Sequence, residues 1–279
     1  MTGRISLDAL NAMPADAFAQ ALDGVFEHAS WVAASAAAGP FSTVARLHEA
    51  LMQAVRDAPA SQQTKFLNGH PELQAGALPA RLTPESQAEQ AGVGITDDSL
   101  ADLNRTYRDR FGIPFIVCVR RHTAANVMRE LHRRLKHTPD TEMAAALDEV
   151  GHITRLRLVD RVDGPGLPDT TGRLSTHVLD TAVGRPAAGI AVSLSQEGAA
   201  LGSWHTDGDG RMDGPLLSGV PLRQGRYELQ FDAGAYFGGR GMPSFHGVIP
   251  VRFAVSESEA HYHIPLLLAP FSYTTYRGS

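Results

Sequence analysis

Three residues in the last third of the chain have side chains suited to moving protons and stabilising negative charge: His177, Arg211 and His263. Histidine titrates close to neutral pH, so it can accept and return a proton during a reaction. Arginine stays charged and offers a planar set of donors to carbonyl or anionic oxygens. Hydrolysis of a cyclic amide needs an activated water, donors for the developing oxyanion and a proton for the leaving nitrogen. These residue types therefore suit such a hydrolysis.

Each of these residues also has a simpler explanation. A single histidine in a strand is more often a surface or core residue than a catalyst. His261 and His263 are two residues apart and share a face of a strand, which would supply half of a metal site, but nothing else in the sequence has ligand spacing. The segment 207–210 is similar to part of a calcium-binding loop, but the terminal glutamate of that motif is missing, so a turn is favoured. The sequence therefore predicts no metal.

Four separated motifs surround these residues and occur in a fixed order. They are LSTHVLD at 174–180, TDGDGR at 206–211, HYHIPLLL at 261–268 and YRGS at 276–279. Together they resemble the 5-hydroxyisourate hydrolases, the enzymatic relatives of transthyretin, from about Arg173 to Ser279. The resemblance implies that water attacks the C6 carbonyl of 5-hydroxyisourate and opens the six-membered ring.

Our assignment of a role to each motif residue is a hypothesis. His177 and His263 would orient and deprotonate the water, and Arg211 would hold the substrate and stabilise the oxyanion. Ser279 would be a further catalytic residue, and Tyr276 and Arg277 would contact the substrate. The rival interpretation is a transthyretin-type carrier, which binds a ligand without catalysis. By the resemblance, carriers lack these histidines and the terminal YRGS, both of which this chain keeps.

A second group of candidate residues lies near His70. Pro71 is suited to the first turn of a helix, so we expect His70 at a helix N-terminus, where the neutral imidazole is favoured. A His-Pro pair that only caps a helix is the alternative. Glu89 lies in a helical segment, where the alternative is a solvated side chain.

Four segments of the first half resemble OHCU decarboxylase, whose substrate is 2-oxo-4-hydroxy-4-carboxy-5-ureidoimidazoline. They are 66–73, 86–92, 103–117 and 149–158, within a match from about Ser6 to Val162. The resemblance names the step that follows the hydrolase reaction, since the hydrolase product is the decarboxylase substrate. That substrate carries its own electron sink, a conjugated imine and carbonyl. No cofactor is therefore expected.

The decarboxylase resemblance also implies site residues. His70 would be the principal acid–base residue, and Glu89 would hydrogen-bond the ureido or ring nitrogens. Arg157 would bind the anionic oxygens of the substrate and is preferred to Arg155 because it lies in a Leu-Arg-Leu motif. The remaining substrate contacts would come from Pro71, Gln90 and Ile116.

The two halves of the chain differ in their periodicity. The first 160 residues show helical spacing and capping residues, as in 42–57, 83–85 and 138–153, and predict an all-α domain. After residue 172, short apolar runs alternate with Gly- and Asp-rich turns, which predicts an all-β, transthyretin-like sandwich. A Pro- and Gly-rich stretch separates them. We predict a helical domain at 1–162, a linker at 163–172 and a sandwich at 173–279.

Composition narrows the class of partner. The 279-residue chain has a net charge of −5, which gives no basic field for nucleic acid or an anionic membrane. A run of basic residues between Arg121 and Lys136 is typical of a solvated helix face. The single cysteine, Cys118, permits no intrachain disulfide and suits a reducing compartment. With no signal peptide in the sequence given, a cytoplasmic protein is expected.

The sequence as a whole predicts a bifunctional enzyme of urate catabolism. Its sandwich domain would convert 5-hydroxyisourate to OHCU, and its helical domain would convert OHCU to (S)-allantoin. The hydrolase resemblance implies a homotetramer formed through the C-terminal domain, with sites at subunit interfaces. The alternatives are that only the hydrolase half is active, or that the sandwich is a binding module.

Overall fold

A computed structural model describes the protein over most of its length. The described residues are 3–36, 39–74, 84–91, 94–96 and 99–278, with the backbone alone at 84, 88, 90 and 91. The chain divides into two compact units, Met1–Arg120 with Ala124–Asp169, and Arg121–Thr123 with Thr170–Ser279. Among the described residues, no helix has the length and apolarity needed to cross a membrane.

The first unit is built from helices around one apolar core. Its helices are α1 (Leu7–Asn11), α2 (Ala15–Ala21), α3 (Ser30–Ala36), α4 (Val44–Arg56), α5 (Ala60–Asn68), α6 (Pro84–Ala91), α7 (Leu100–Phe111), α8 (Ala124–Arg134) and α9 (Pro139–Arg161). Two short strands, β1 (Ile5–Ser6) and β2 (Val162–Asp163), pair in parallel and join the start of the unit to the end of α9. The predicted all-α class of this half is confirmed.

Capping residues explain where the two longest helices begin. The Thr43 hydroxyl accepts a hydrogen bond from the Arg46 backbone N–H at the start of α4. The Thr138 hydroxyl does the same for Thr141 at the start of α9, and Pro139 occupies the first turn. Each cap satisfies a backbone donor that the first turn leaves unpaired. The helix start predicted at Thr138 and Pro139 is confirmed.

The predicted linker begins as ordered chain on the first unit. The carbonyls of Pro165 and Gly166 accept hydrogen bonds from the backbone N–H groups of Val44 and Ala45, at distances of 2.9 and 3.3 Å. These two donors lie in the first turn of α4, where helical partners are lacking. The first part of the stretch is therefore anchored to the helical unit.

The second unit contains two four-stranded sheets that share one core. Its elements are β3 (Arg173–Asp180), β4 (Arg185–Pro186), β5 (Ala191–Gln196), β6 (Ala199–His205), β7 (Gly225–Asp232), α10 (Ala233–Gly238), β8 (Val248–Val255), β9 (His261–Ala269) and β10 (Ser272–Thr275). The sheet orders are β10-β9-β3-β4 and β6-β5-β7-β8. The predicted β-sandwich is confirmed, and α10 is an element that the sequence analysis did not predict.

The pairing of β3 with β9 brings two of the sequence motifs together. These strands run in parallel, with Leu174 beside Tyr262 and Thr176 beside Ile264. All four of these side chains are buried and form part of the sandwich core. Alternate residues must then lie on the opposite, outer face of the sheet, since side chains alternate along a strand.

The basic run between Arg121 and Lys136 is not uniformly solvated. The prediction of a solvated face is wrong for Arg121, His122 and Arg134, which are at most 7% exposed. Arg134 ends α8 inside the first unit, where its guanidinium pairs with the buried carboxylate of Glu142. An arginine tolerates burial when a carboxylate and further acceptors satisfy its donors. Spacing alone did not reveal that partner.

Candidate active sites

His70 lies just beyond the C-terminus of α5, so the predicted position at a helix N-terminus is wrong. The helix ends at Asn68, Gly69 is its C-cap, and residues 71–74 are not helical. The backbone N–H of His70 donates to the carbonyl of Leu67 at 3.0 Å. A glycine followed by a proline commonly ends a helix, and that signal was the relevant one here.

Burial, rather than a helix dipole, keeps the His70 ring neutral. Desolvation lowers the pKa of His70 to about 4, although the Phe66 carbonyl and the nearby Glu27 oppose it. Nδ1 lies 3.2 Å from the Phe66 carbonyl oxygen. A carbonyl can only accept, so Nδ1 carries the proton and donates it. Nε2 is left with a free lone pair, as a general base requires.

The predicted decarboxylase residues meet at one pocket. Its walls include His70, Pro71, Glu89, Ile116 and Arg157, together with Leu73, Ser86, Phe115, Val117, Val119 and Ile153. These residues come from the end of α5, from α6, from the buried segment after α7 and from α9. Gln90 lies in α6, but its side chain is outside the described part of the chain. The fold therefore unites segments that are distant in sequence.

Arg157 is held by acceptors on all sides. Nε and Nη2 bind the two oxygens of Glu89 at 3.0 and 2.8 Å, which is a bidentate pair. Nη1 donates to Glu27 at 3.0 Å and to the Gly24 carbonyl at 3.3 Å, and Nη2 also donates to Ser86 at 3.1 Å. Burial lowers the pKa of Arg157, but Glu89 and Glu27 outweigh it and raise the pKa overall.

Glu27 and Ser86 complete this cluster and were missed in the sequence analysis. Glu27 is 2% exposed, and its carboxylate accepts from the Ser86 hydroxyl at 3.0 Å. Ser86 lies three residues before Glu89 on α6, so helical spacing could have placed it on the same face. Glu27 lies outside every motif, and no local signal distinguishes it. The cluster fixes the carboxylate of Glu89 at the pocket wall.

A second buried network shapes the segment that carries Ile116. Arg134 donates from Nη1 to the Ile116 carbonyl at 2.7 Å, and its guanidinium also binds Glu142 and the Tyr107 hydroxyl. The Glu149 carboxylate accepts from the backbone N–H of Cys118 at 2.8 Å. Non-helical backbone in the interior needs such partners, because an unpaired polar group there is costly.

Buried histidines should make the helical unit sensitive to acid. Burial lowers the pKa of His48 and of His70 to about 4 in each case. The unfolded rings titrate near pH 6.5, so between these values the unfolded state binds more protons. Stability is therefore complete above about pH 6.5 and falls as the pH drops towards 4, by about 3 kcal/mol for each ring at most.

The His48→Gln variant tests this pH dependence. Thermal unfolding followed by circular dichroism at 222 nm reports mainly on the helical unit. The midpoint should fall between pH 7 and pH 5 in the unmodified protein, and less steeply in the variant. Equal slopes for both proteins would mean that His48 does not contribute.

The hydrolase candidates lie on the outer face of the β3–β9 sheet. Ser175 is paired with His263, and His177 is paired with Pro265. His177 and His263 therefore sit on adjacent strands, offset by two residues, with both rings facing away from the core. The Nε2 atom of His177 is buried and has no hydrogen-bond partner among the described residues. Its hydrogen-bonding capacity is therefore not used by any described residue.

A tight turn carries Arg211 to the same face. The Asp207 carboxylate accepts from the backbone N–H groups of Asp209 and Arg211, both at 2.9 Å. The Gly210 carbonyl accepts from the Val178 backbone N–H at 2.8 Å, which ties the turn to β3. Gly210 has φ +70°, and a Cβ there would lie 2.3 Å from the Val178 carbonyl oxygen, so glycine is required.

Electrostatics favour neutral histidines at this site. Desolvation lowers the pKa of His177, and the Arg211 charge lowers it further. Desolvation also lowers the pKa of His263, followed by the charges of Arg211, His261 and His177. A cation close to two imidazoles disfavours their protonated forms. The arrangement therefore places two imidazoles with lowered pKa values near one guanidinium.

The C-terminal segment folds back onto His263. The backbone N–H of Gly278 donates to the His263 carbonyl at 2.8 Å. The guanidinium of Arg277 lies over the Tyr262 ring at 4.4 Å, and the Tyr276 side chain is 57% exposed. Ser279 lies outside the described residues. The segment lies beside the histidines, with Arg277 anchored on Tyr262.

Ser175 is a polar neighbour of the site that the sequence analysis did not single out. Its Oγ atom lies 3.0 Å from Nδ1 of His263 and 2.8 Å from Nε2 of His261. A strand places residues two apart on one face, so its position before His177 was the available signal.

The Gly278→Ala variant should impair ring opening. A Cβ at Gly278 would lie 2.7 Å from Cδ2 of His263, so the ring or the tail must move. Misplacing a catalytic group by an ångström costs up to about 10²-fold in rate, and we expect a loss on the order of tenfold in kcat. Gly238→Ala is the matched control, because a Cβ there meets nothing within 4 Å. Equal kcat values for both variants would refute a positioning role for the tail.

Family models match both halves of the chain. The OHCU decarboxylase model matches residues 11–159, and the HIUase/Transthyretin family model matches residues 174–278. The 5-hydroxyisourate hydrolase 2 of Rhizobium meliloti is 50% identical over 117 residues, covering 39% of this chain and 98% of that protein.

Two further relatives span both halves. The uric acid degradation bifunctional protein of Arabidopsis thaliana is 32% identical over 234 residues, covering 64% of this chain and 71% of that protein. A crystal structure of (S)-allantoin synthase is 34% identical with a TM-score of 0.56, covering 99% of this chain and 100% of that one. The chain is thus a fusion that belongs to the OHCU decarboxylase family in its helical half and to the HIUase/transthyretin family in its sandwich half.

Proposed function

We propose that this protein converts 5-hydroxyisourate to (S)-allantoin through two active sites on one chain. The observation that carries the proposal is that each unit brings histidine and arginine side chains from distant segments close together, as the proposed chemistry requires. The likeness to (S)-allantoin synthase over 99% of the chain supports it. The sandwich would open the ring, and the helical unit would decarboxylate the product.

Ring opening would use the three groups on the outer sheet face. His177 and His263 would orient a water and remove its proton, since both rings are held in their neutral forms. Arg211 would hold the carbonyl oxygen and stabilise the negative charge that forms on it. We further propose that Tyr276, Arg277 and Ser279 close this site, with Arg277 contributing through its place in the tail.

Decarboxylation would use the pocket around His70. As the bond to the carboxylate breaks, its electrons move into the imine and carbonyl of the substrate. His70 would accept a proton from water at Nε2 and deliver it from one side to the substrate carbon that takes up the proton, which would set the handedness of the product. Glu89, fixed by Arg157, would accept hydrogen bonds from ureido or ring N–H groups. Arg157 would act by holding Glu89 in place, because its donors are already bound to Glu89, Glu27, Ser86 and the Gly24 carbonyl.

We also propose a cytoplasmic homotetramer assembled through the sandwich. The histidines lie on an outer sheet face rather than in a closed cavity, so one chain leaves them partly open. Large apolar side chains are also exposed in this unit, among them Phe245 at 75% and Phe271 at 67%. Exposed apolar groups of this size commonly mark contacts between proteins. Light scattering after gel filtration would test the number of chains.

The test of function starts from freshly generated 5-hydroxyisourate. Absorbance follows ring opening, and circular dichroism follows the handedness of the allantoin. Rapid decay with a one-handed product, faster than the spontaneous racemic route, would establish both activities. Rapid decay with slow, racemic product would leave only the hydrolase. If neither step is accelerated, the carrier interpretation of the sandwich is favoured.

A further inference from the structure

We propose that Ser175 and His261 form a proton relay that connects His263 to the solvent. The proposal rests on the proposed hydrolase function of this sheet face. His263 is partly buried, whereas His261 is exposed at the first position of β9. The Ser175 hydroxyl bridges the two rings, with distances of 3.0 Å to Nδ1 of His263 and 2.8 Å to Nε2 of His261. Three groups thus form a continuous hydrogen-bonded path.

The single hydroxyl proton of Ser175 fixes the direction of this path. A hydroxyl donates to one partner and accepts from another. If His263 is to act as a base through Nε2, its Nδ1 must carry a proton and donate to Ser175. The Ser175 proton then points to Nε2 of His261, which accepts it. Each donor in the chain has one acceptor, and each ring has one defined tautomer.

Proton transfer along the path is balanced at every atom. Nε2 of His263 takes a proton from water, and the remaining hydroxide electron pair forms the bond to the carbonyl carbon. The Nδ1 proton of His263 passes to Ser175, whose own proton passes to Nε2 of His261. His261 becomes an imidazolium and releases its proton to solvent or buffer. The other water proton moves from the new hydroxyl to the ring nitrogen as the C–N bond breaks.

The product of ring opening requires that a proton leave the site. Hydrolysis of a neutral cyclic amide at neutral pH yields a carboxylate, because carboxylic acids have pKa values near 4. One proton must therefore leave the site in each turnover. Arg211 and His177 face His263, and Arg173 is the register partner of His261 on β3. Arg211 and His177 disfavour a positive charge that stays on His263, so the proton is released to solvent through His261. Exchange of the Nε2 proton of His263 with water then restores the Nδ1-protonated tautomer for the next turnover.

Two pairs of variants test the relay in the full-length protein. His261→Gln keeps a hydrogen-bonding side chain that cannot carry a proton, and Ser175→Ala breaks the bridge. We expect kcat for ring opening to fall by a factor on the order of ten to one hundred in each, with KM little changed. Ser175→Thr retains the hydroxyl and should retain most of kcat. His205→Gln, an exposed histidine on β6 in the other sheet, is the control.

External imidazole distinguishes a relay from a structural role. In weak buffer, added imidazole should raise kcat of His261→Gln towards the unmodified rate and leave that of Ser175→Ala low. A His261→Gln variant within twofold of the unmodified protein would overturn the relay. So would a loss that imidazole does not restore. Absence of ring opening in the unmodified protein would instead reject the proposed function. Far-ultraviolet circular dichroism and a thermal unfolding midpoint like that of the unmodified protein verify that the sandwich unit of each variant is folded.

Discussion

Replacement of His70 by asparagine is expected to lower decarboxylation by a factor on the order of 10²–10⁴ while ring opening continues unchanged. The asparagine amide can replace the donor that His70 presents to the Phe66 carbonyl. It cannot take up a proton as Nε2 does, because an amide has no basic nitrogen. The hydrolase candidates lie in the other compact unit, so their chemistry should not depend on this side chain.

The measurement separates the two reactions within one sample. The absorbance of 5-hydroxyisourate should fall at the rate seen with the unmodified protein. The circular dichroism of one-handed allantoin should be absent, because allantoin then forms slowly and as a racemate. His48→Gln is the matched control, since His48 is also a histidine whose pKa is lowered by burial but lies outside the pocket. A His70→Asn variant with more than a third of the normal turnover would exclude His70 as the acid–base group. Parallel loss of both steps would point to misfolding.

Local signals in the sequence were sufficient to predict the fold class of each half of the chain. Thr43 and Thr138 mark helix starts because their hydroxyls satisfy backbone donors of the first turn. In the sandwich, the largely apolar run from Val248 to Val255 forms the whole of β8, as such runs predict. Such features depend on neighbours in sequence, which a single chain displays directly. The helix α10 was missed because three glycines within four residues, at 238–241, suggested a turn throughout.

Contacts between distant segments could not be predicted in the same way. The neutral state of His70 was expected from a helix N-terminus, whereas the structure attributes it to burial beside Phe66. Arg134 was expected in water, but Glu142, eight residues later, holds it inside the core. Both errors have one physical origin. Burial and ion pairing are decided by tertiary packing, which overrides what local spacing favours.

In the candidate sites too, some residues could be predicted from the sequence and others only from tertiary contacts. Resemblance to two families named residues that the fold brings together, as at the pocket shared by His70, Glu89 and Arg157. It did not name Glu27, which accepts a hydrogen bond from Arg157, or Ser175, whose hydroxyl lies 3.0 Å from His263. Residues that hold a catalytic group have no chemistry that identifies them in advance. Only the geometry of their hydrogen bonds distinguishes them from ordinary polar residues.

The second large effect is expected at His177. His177→Asn should lower kcat for ring opening by a factor on the order of 10²–10⁴ if this histidine transfers a proton. Two observations suit the ring to proton transfer. Its Nε2 atom is buried with no partner in the described part of the chain, and the nearby Arg211 charge helps to keep the ring neutral. The His177 ring hydrogen-bonds the Asp209 backbone. An asparagine amide can replace that bond, so the turn carrying Arg211 should keep its place.

Stopped-flow absorbance with fresh 5-hydroxyisourate gives the rate, and His205→Asn on the opposite sheet serves as the control. Decarboxylation should be unaffected when OHCU is formed by a separate hydrolase, and an unchanged thermal unfolding midpoint shows that the sandwich of the variant is folded. A loss of less than threefold would remove His177 from the mechanism and leave His263 as the base. A rise in KM without a fall in kcat would instead assign His177 to substrate binding, since such a change removes binding that is equal in the ground and transition states.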